Sequence, residues 1–298
     1  MNSDIIIVGA GCAGLTAAIY AARAGKSVTI LENEGVGGQI STSPRVENYP
    51  GFQSISGIEF SDKLFEQASD LGVELELARA ESIEKTDGGF VVKTEFGDYT
   101  AKAVILATGC RHRHLGLSEE DRFVGKGVSY CAVCDGAFYK GKTVAVVGGG
   151  SAALQSALML SGLCEKVYLI HRRDRYRGEE KLVEQLNSTA NIEPVLNAVV
   201  SSLNGEDKLE SVTVTVNSNE RKEIKMDGLF VSIGQQADNA AFASLVALDE
   251  NGYIVAGEDC RTSCEGVFVA GDCRTKAVRQ LTTAAADGAV AALAACQF

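Results

Sequence analysis

Histidine and positive charge are scarce in this chain. Its 298 residues include three histidines, His112, His114 and His171, and only one of its cysteine pairs, Cys131 and Cys134, has CxxC spacing. A structural zinc or iron–sulfur centre of the usual kind needs a second pair of ligands at suitable spacing, and no second CxxC exists. Lysine and arginine number 28 against 39 acidic residues, a net charge of -11, which disfavours nucleic acid or an anionic membrane as the main partner. No basic region precedes the uncharged run of residues 5–22, glycines interrupt it, and Arg23 closes it. It therefore reads as strand and helix rather than as a membrane anchor or signal segment, and a cytoplasmic protein is expected.

Nine cysteines without a secretion signal point to a reducing compartment, where a closely spaced pair is catalytic or metal-binding and other thiols stay free. Cys12, Cys110, Cys164, Cys260, Cys264, Cys273 and Cys296 read as small buried or incidental thiols. No metal site is expected.

What the chain does have is one strand–turn–helix phrase written twice. DIIIVGAGCAGLTAA begins at Asp4 and TVAVVGGGSAALQSA at Thr143; Gly9 and Gly148 stand 139 positions apart, as do Glu32 and His171. Glycine turns of this kind bring a helix N-terminus and bare backbone up to a pyrophosphate. The first copy carries Gly9, Gly11 and Gly14 in full GxGxxG spacing, with Cys12 and Ala13 between them, and the next apolar run ends in Glu32, placed to accept hydrogen bonds from ribose hydroxyls. The second copy carries Gly148, Gly150 and Ala153, with Ser151 and Ala152 opening its helix, and leads to His171, Arg172, Arg173 and Arg177. That basic cluster suits a 2'-phosphate, so NADP fits the second copy better than NAD. Two different nucleotides are implied.

Between the copies, GVGGQ and VENYPGF read as loops in which Gln39 and Asn48 can hydrogen-bond a ring edge. Residues 60–71 have helical spacing, while FVVKTEF and AVILATG read as strands, the second ending at Ala107, Thr108 and Gly109. TVTVTVN is an alternating strand, and GLFVSIG an apolar one ending in Gly234. The closing GVFVAGD, then RQLTTAAADGAVAALAA, pairs a strand with a helix that could complete the first nucleotide fold. The expected architecture is α/β, with two Rossmann-like dinucleotide-binding domains, the second inserted into the first: 1–114 and 240–298 around 115–239.

Cys131 and Cys134 lie in SYCAVCDG, just before the second glycine strand. If the segment is helical, both sulfurs share one face, close enough for a disulfide, and a helix N-terminus would stabilise a thiolate. Asp135 adds a carboxylate able to shuttle the proton that thiol exchange loses and regains. Half of a metal site and a pair of unreacting buried thiols are the competing readings.

Taken in order, GAGCAG, GGQ, VENYPG, ATG, CAVCDG, GGGSAA, HRRDRYR, AGD and the pair Arg279–Gln280 resemble the low-molecular-weight thioredoxin reductase family across essentially the whole chain. The resemblance implies a homodimeric flavoprotein with FAD in the split domain, passing electrons from NADPH to a Cys131–Cys134 disulfide and on to a thioredoxin. It implies that Glu32, Gly38, Gln39, Asn48, Gly271, Asp272, Gln280 and Leu281 bind FAD, that Arg172, Arg173 and Arg177 hold the NADPH phosphate, that Asp135 is the acid–base group, and that Cys134 lies nearer the flavin. Because nicotinamide and disulfide need the same flavin ring, the inserted domain is expected to rotate about linkers near Leu115 and Asn239. Gln155 stands where the family commonly has glutamate, and IGQQADN lacks a proline often found there. Relatives include enzymes fed by ferredoxin and oxidases that form small-molecule disulfides. A related enzyme with another donor or substrate is thus one alternative, and a non-catalytic nucleotide- or metal-binding redox sensor is another.

Overall fold

In the computed structural model, which describes residues 2–298, the first apolar run becomes β1 (Asn2–Val8), followed by α1 (Cys12–Arg23) and β2 (Val28–Glu32). Ile5, Ile6, Ile7 and Val8 are all buried, as a central parallel strand covered on both faces requires. GVGGQ does not remain an open loop. It winds into a 3-10 turn over Gly38–Thr42, which the left-handed φ of +101° at Gly37 and +59° at Gly38 allows. The helical spacing of residues 60–71 is realised as α2 (Gly57–Ser69), whose N-terminus is capped by Ser56 Oγ accepting from the Glu59 N–H at 3.1 Å. β3 (Glu74–Leu77) joins β2 in parallel, and β4 (Ala80–Thr86), β5 (Gly89–Thr94) and β6 (Gly97–Leu106) form an antiparallel meander.

A short strand, β7 (Arg111–His112), leads to α3 (Glu120–Phe123), β8 (Val128–Ser129) and the single-turn α4 (Ala132–Asp135). The second repeat then gives β9 (Thr143–Val147), α5 (Ser151–Ser161) and β10 (Lys166–Ile170), followed by α6 (Glu180–Ser188) and β11 (Ile192–Val195). β12 (Ala198–Asn204), β13 (Ser211–Val216) and β14 (Glu220–Lys225) make an antiparallel three-stranded sheet, and β15 (Gly228–Val231) returns to the parallel one, whose order is β11-β10-β9-β15-β8. Alternation along β9 divides its side chains between two cores. Val144 and Val146 pack with Leu154 and Leu160 of α5, whereas Ala145 and Val147 pack with Val212 and Val214 of β13.

After β16 (Gln235–Gln236), the C-terminal segment supplies β17 (Val267–Val269) and α7 (Leu281–Cys296). β6 is long enough to pair with β5 through residues 97–101 and with β17 through residues 104–106, so the tail completes a seven-stranded sheet begun by the N-terminal segment. α7 packs on α1 at very short range: a side chain at Gly288 would collide with the Ala13 carbonyl. The chain thus forms two compact units with separate sheets, a mixed seven-stranded one in the unit of residues up to Arg111 together with Gln236–Phe298, and a parallel five-stranded one in the unit of His112–Gln235. The architecture is α/β and Rossmann-like in each.

Candidate functional site

The three glycines of the first turn have three separate reasons to be glycine. Gly9 has φ +110° and a Cβ there would strike the Ala107 carbonyl; a Cβ at Gly14 would strike the Gly9 carbonyl. Gly11 meets nothing closer than the Gly37 carbonyl at 3.9 Å, so its face is open to a ligand. Among the described residues no side chain caps α1, which leaves its first N–H groups, Cys12 and Ala13 included, available beside that opening. At the end of β2, Glu32 Oε2 accepts from the Ala10 N–H at 2.7 Å and Oε1 from the Glu34 N–H at 2.8 Å. The carboxylate is fixed by backbone and still has lone pairs for ribose hydroxyls.

The same unit brings the tail's residues to this turn. Gly271, at φ +82°, lies so close to Ala13 that a side chain would press on its methyl, and Leu281 O accepts from Cys12 Sγ at 3.5 Å. Asp272 Oδ1 is buried and, among the described residues, has no hydrogen-bond partner; burial pushes this carboxyl up to about 6. An orphaned buried acceptor needs a donor, and a polyol chain would provide one. Arg279 donates from Nε to the Asp272 carbonyl at 3.2 Å and lies over the Tyr253 ring at 4.2 Å. Gln280 begins α7 through a reciprocal capping box with Thr283 and accepts from Asn48 Nδ2 at 3.1 Å. Gln39 Nε2 donates to the Cys110 carbonyl, Thr108 Oγ1 bonds to Asn239 Oδ1 at 2.7 Å, and Gly109, at φ +70°, faces open space. Gly38 approaches the Gly11 Cα. This donor and acceptor set fits FAD.

Sequence reasoning missed the group that supports Asp272. Asp287 of α7, 5% exposed, accepts from the Gly271 N–H at 3.0 Å, from Arg274 Nε at 2.8 Å and from Lys276 Nζ at 2.8 Å. Burial works against ionisation, but the Arg274 and Lys276 hydrogen bonds overcome it and hold the carboxyl below its usual range. The available signal was a lone charge in an otherwise uncharged helical run.

In the other unit, Gly148 has φ +152° and a Cβ would strike the Ser232 carbonyl, whereas Gly150 has nothing nearby. Ala153 replaces the third glycine because its methyl occupies the space that a Gly148 side chain would take. Ser151 and Ala152 open α5, which has no side-chain cap among the described residues. The basic loop folds back on this turn. The Arg177 N–H donates to the Gly149 carbonyl at 2.7 Å and the Glu179 N–H to Ser151 Oγ at 3.2 Å. Arg172, Arg173 and Arg177 are exposed, but His171 is 5% exposed, its ring filling the space a side chain at Gly149 would need. Burial lowers its pKa, with the three arginines adding to the effect, so His171 braces the loop as a neutral ring and the charge is left to the arginines. Its Nε2 and the nearby Tyr176 hydroxyl are buried without partners among the described residues. The strand expected to end in Gly234 stops at Val231, and Gly234, at φ +110°, lies directly before β16, where its carbonyl accepts from the Arg113 N–H at 3.0 Å.

Cys131 and Cys134 form a disulfide with Cα atoms 5.3 Å apart. Cys131 is the N-cap of α4, and its Sγ accepts from the Cys134 N–H at 3.1 Å. Val133 between them is exposed. Asp135 closes the turn: burial raises its pKa, and a 2.6 Å hydrogen bond from Ser129 Oγ partly offsets this. Among the described residues no cluster of histidine, cysteine and carboxylate suits a metal, and no helix is long and apolar enough to cross a membrane.

Comparison with known proteins agrees with this geometry. A family profile described as pyridine nucleotide-disulphide oxidoreductase matches residues 3–288. The thioredoxin reductase of Treponema pallidum is 42% identical over 99% of this chain and 96% of its own length. Thioredoxin reductase from Streptococcus pyogenes is 37% identical, with a TM-score of 0.94 over 98% of this chain and 96% of that one. Lactococcus lactis thioredoxin reductase in its FR conformation, also 37% identical, covers 99% of this chain and 98% of its own with a TM-score of 0.67.

Proposed function

The chain belongs to the pyridine nucleotide-disulphide oxidoreductases, and among them to the low-molecular-weight thioredoxin reductase family, and from that premise we propose that it reduces thioredoxin, or a thioredoxin-like protein disulfide, with electrons from NADPH. FAD, when bound, supplies a two-electron relay between the nicotinamide and the cystine. The unit of residues up to Arg111 and from Gln236 binds the flavin nucleotide: Glu32 takes the ribose, the Gly9–Gly14 turn and α1 take the pyrophosphate, and Asp272, Gln39, Asn48, Arg279 and Gln280 position the remainder. In the other unit, Gly148, Gly150 and α5 take the pyrophosphate of NADPH, and Arg172, Arg173 and Arg177 its 2'-phosphate.

The cystine, on receiving two electrons and two protons, becomes the Cys131 and Cys134 thiols. One thiolate attacks a disulfide of the partner, forming a mixed disulfide and displacing a sulfur that takes its proton from Asp135. The second cysteine then attacks the first, re-forming the cystine and releasing the partner as a dithiol. The Cys134 N–H stabilises negative charge on Cys131 Sγ during this exchange. In the full cycle the partner disulfide gains two electrons and two protons.

Nicotinamide and cystine cannot occupy one flavin face together, so the inserted unit rotates between turns of the cycle. A homodimer is the assembly proposed. The observation that carries the function is the Cys131–Cys134 cystine in the same unit as the second glycine turn, with Asp135 in its own turn. Anaerobic titration of the yellow protein with NADPH, NADH and reduced ferredoxin tests it. NADPH should bleach the flavin at about tenfold lower concentration than NADH, and Arg172→Ala with Arg173→Ala should remove that preference. Bleaching by ferredoxin and not by NADPH would overturn the donor assignment.

A further inference from the structure

Ser129, the last residue of β8, is 5% exposed and lies between the two ends of the cystine turn. Its hydroxyl oxygen is 2.6 Å from Asp135 Oδ2 and accepts from the Cys131 N–H at 3.1 Å. A serine hydroxyl has one proton to give. That proton goes to the short, charge-assisted contact with the carboxylate rather than to the Cys131 carbonyl at 3.4 Å. The carbonyl already accepts from the Asp135 N–H at 3.0 Å. One hydroxyl therefore closes a ring of hydrogen bonds joining the first cysteine to the carboxylate.

Among the described residues little else steadies that carboxylate. α5 packs on the turn through Met159 and Leu160 beside Gly136, and these are apolar. The ionisable group electrostatically linked to Asp135 is the Tyr139 phenol, on the 3-10 turn Gly136–Tyr139, which burial pushes up to about 12 with the charges of Asp135 and Asp227 adding. A phenol so displaced is neutral through the thiol range and cannot set the carboxylate's charge. Burial drives Asp135 upward, and the Ser129 hydrogen bond is what opposes it.

We propose that Ser129 is a positioning residue for the thiol–disulfide reaction, fixing one oxygen of Asp135 relative to Cys131 and stabilising its ionised form. This rests on the acid–base role of Asp135. In each exchange one S–S bond forms as another breaks, and the proton moves between Asp135 and the displaced sulfur. The Ser129 proton stays on its own oxygen, shared with the Asp135 carboxylate throughout.

The test uses the full protein reduced with dithiothreitol, with alkylation of the peptide carrying Cys131 and Cys134 followed by mass spectrometry as a function of pH, so the readout does not depend on turnover. The wild-type profile should show a carboxylate limb that Asp135→Asn lacks. Ser129→Ala should move that limb upward by about one pH unit, because the lost hydrogen bond favoured the charged form, and Ser129→Thr should restore it. A limb unmoved in Ser129→Ala, but absent in Asp135→Asn, would overturn the proposal and leave the role of Asp135 standing. A limb retained in Asp135→Asn would instead overturn the role of Asp135 itself. Should Ser129→Ala fail to fold, Ser129→Gly, which also lacks the hydroxyl and adds no thiol to the alkylated peptide, reads the same shift.

Discussion

Asp287 shows how one side chain can fix a site it need not touch. Its carboxylate gathers the Gly271 N–H and two buried cations, and the Gly271 backbone carries Asp272, whose buried Oδ1 has no hydrogen-bond partner among the described residues. Replacing Asp287 by alanine takes from Lys276 its buried carboxylate and leaves Arg274, at 2% exposure, with the exposed Glu258 carboxylate at 3.3 Å, and breaking a buried pair from one side costs about 3–5 kcal/mol. Asp287→Ala should therefore lower the thermal midpoint and purify with less bound FAD, as read by melting curves and by the flavin-to-protein absorbance ratio. Unchanged flavin content and midpoint would remove Asp287 from the account. The pH sign follows from its depressed pKa: the contribution is present above the carboxylate's unfolded value and is lost as pH falls through the folded one. Glu32 and the arginines are expected from the repeated phrase and its constant spacing, and Asp272 from the resemblance carried by AGD. Asp287 and Ser129 are not, since each acts through a contact that exists only after folding: Asp287 holds a loop 13 residues away at Arg274, and Ser129 a carboxylate 6 residues on.

At the scale of elements, the two glycine turns were legible because some of their glycines answer a steric demand and the others leave backbone open. Collisions with the Ala107 carbonyl and the Ser232 carbonyl exclude side chains at Gly9 and Gly148, while the open faces of Gly11 and Gly150 leave backbone exposed. The strands β5, β6 and β13 follow from alternating or continuous apolar runs. Three things were not legible. The 3-10 winding of Gly38–Thr42 depends on consecutive left-handed glycines. The sharing of β6 between β5 and β17 depends on a strand contributed from the far end of the chain. The burial of His171 depends on the basic loop folding back onto Gly149, so a residue that reads as part of a charged cluster becomes a neutral brace.

For the whole molecule, the chain leaves one nucleotide-binding unit at Arg111 and re-enters it at Gln236, having built another between. The cystine and the second glycine turn share that inserted unit, and the proposed cycle has it rotate about its two connections. An engineered crosslink that locks the two units in one arrangement should abolish thioredoxin reduction and restore it on cleavage; undiminished turnover while locked would refute rotation. The most direct test of the electron path is thiol mapping after anaerobic addition of NADPH. Cys131 and Cys134 should both pass from disulfide-bonded to alkylatable as the flavin bleaches, with the other seven cysteines unchanged. A flavin fully bleached by excess NADPH beside a cystine that stays intact would contradict the account.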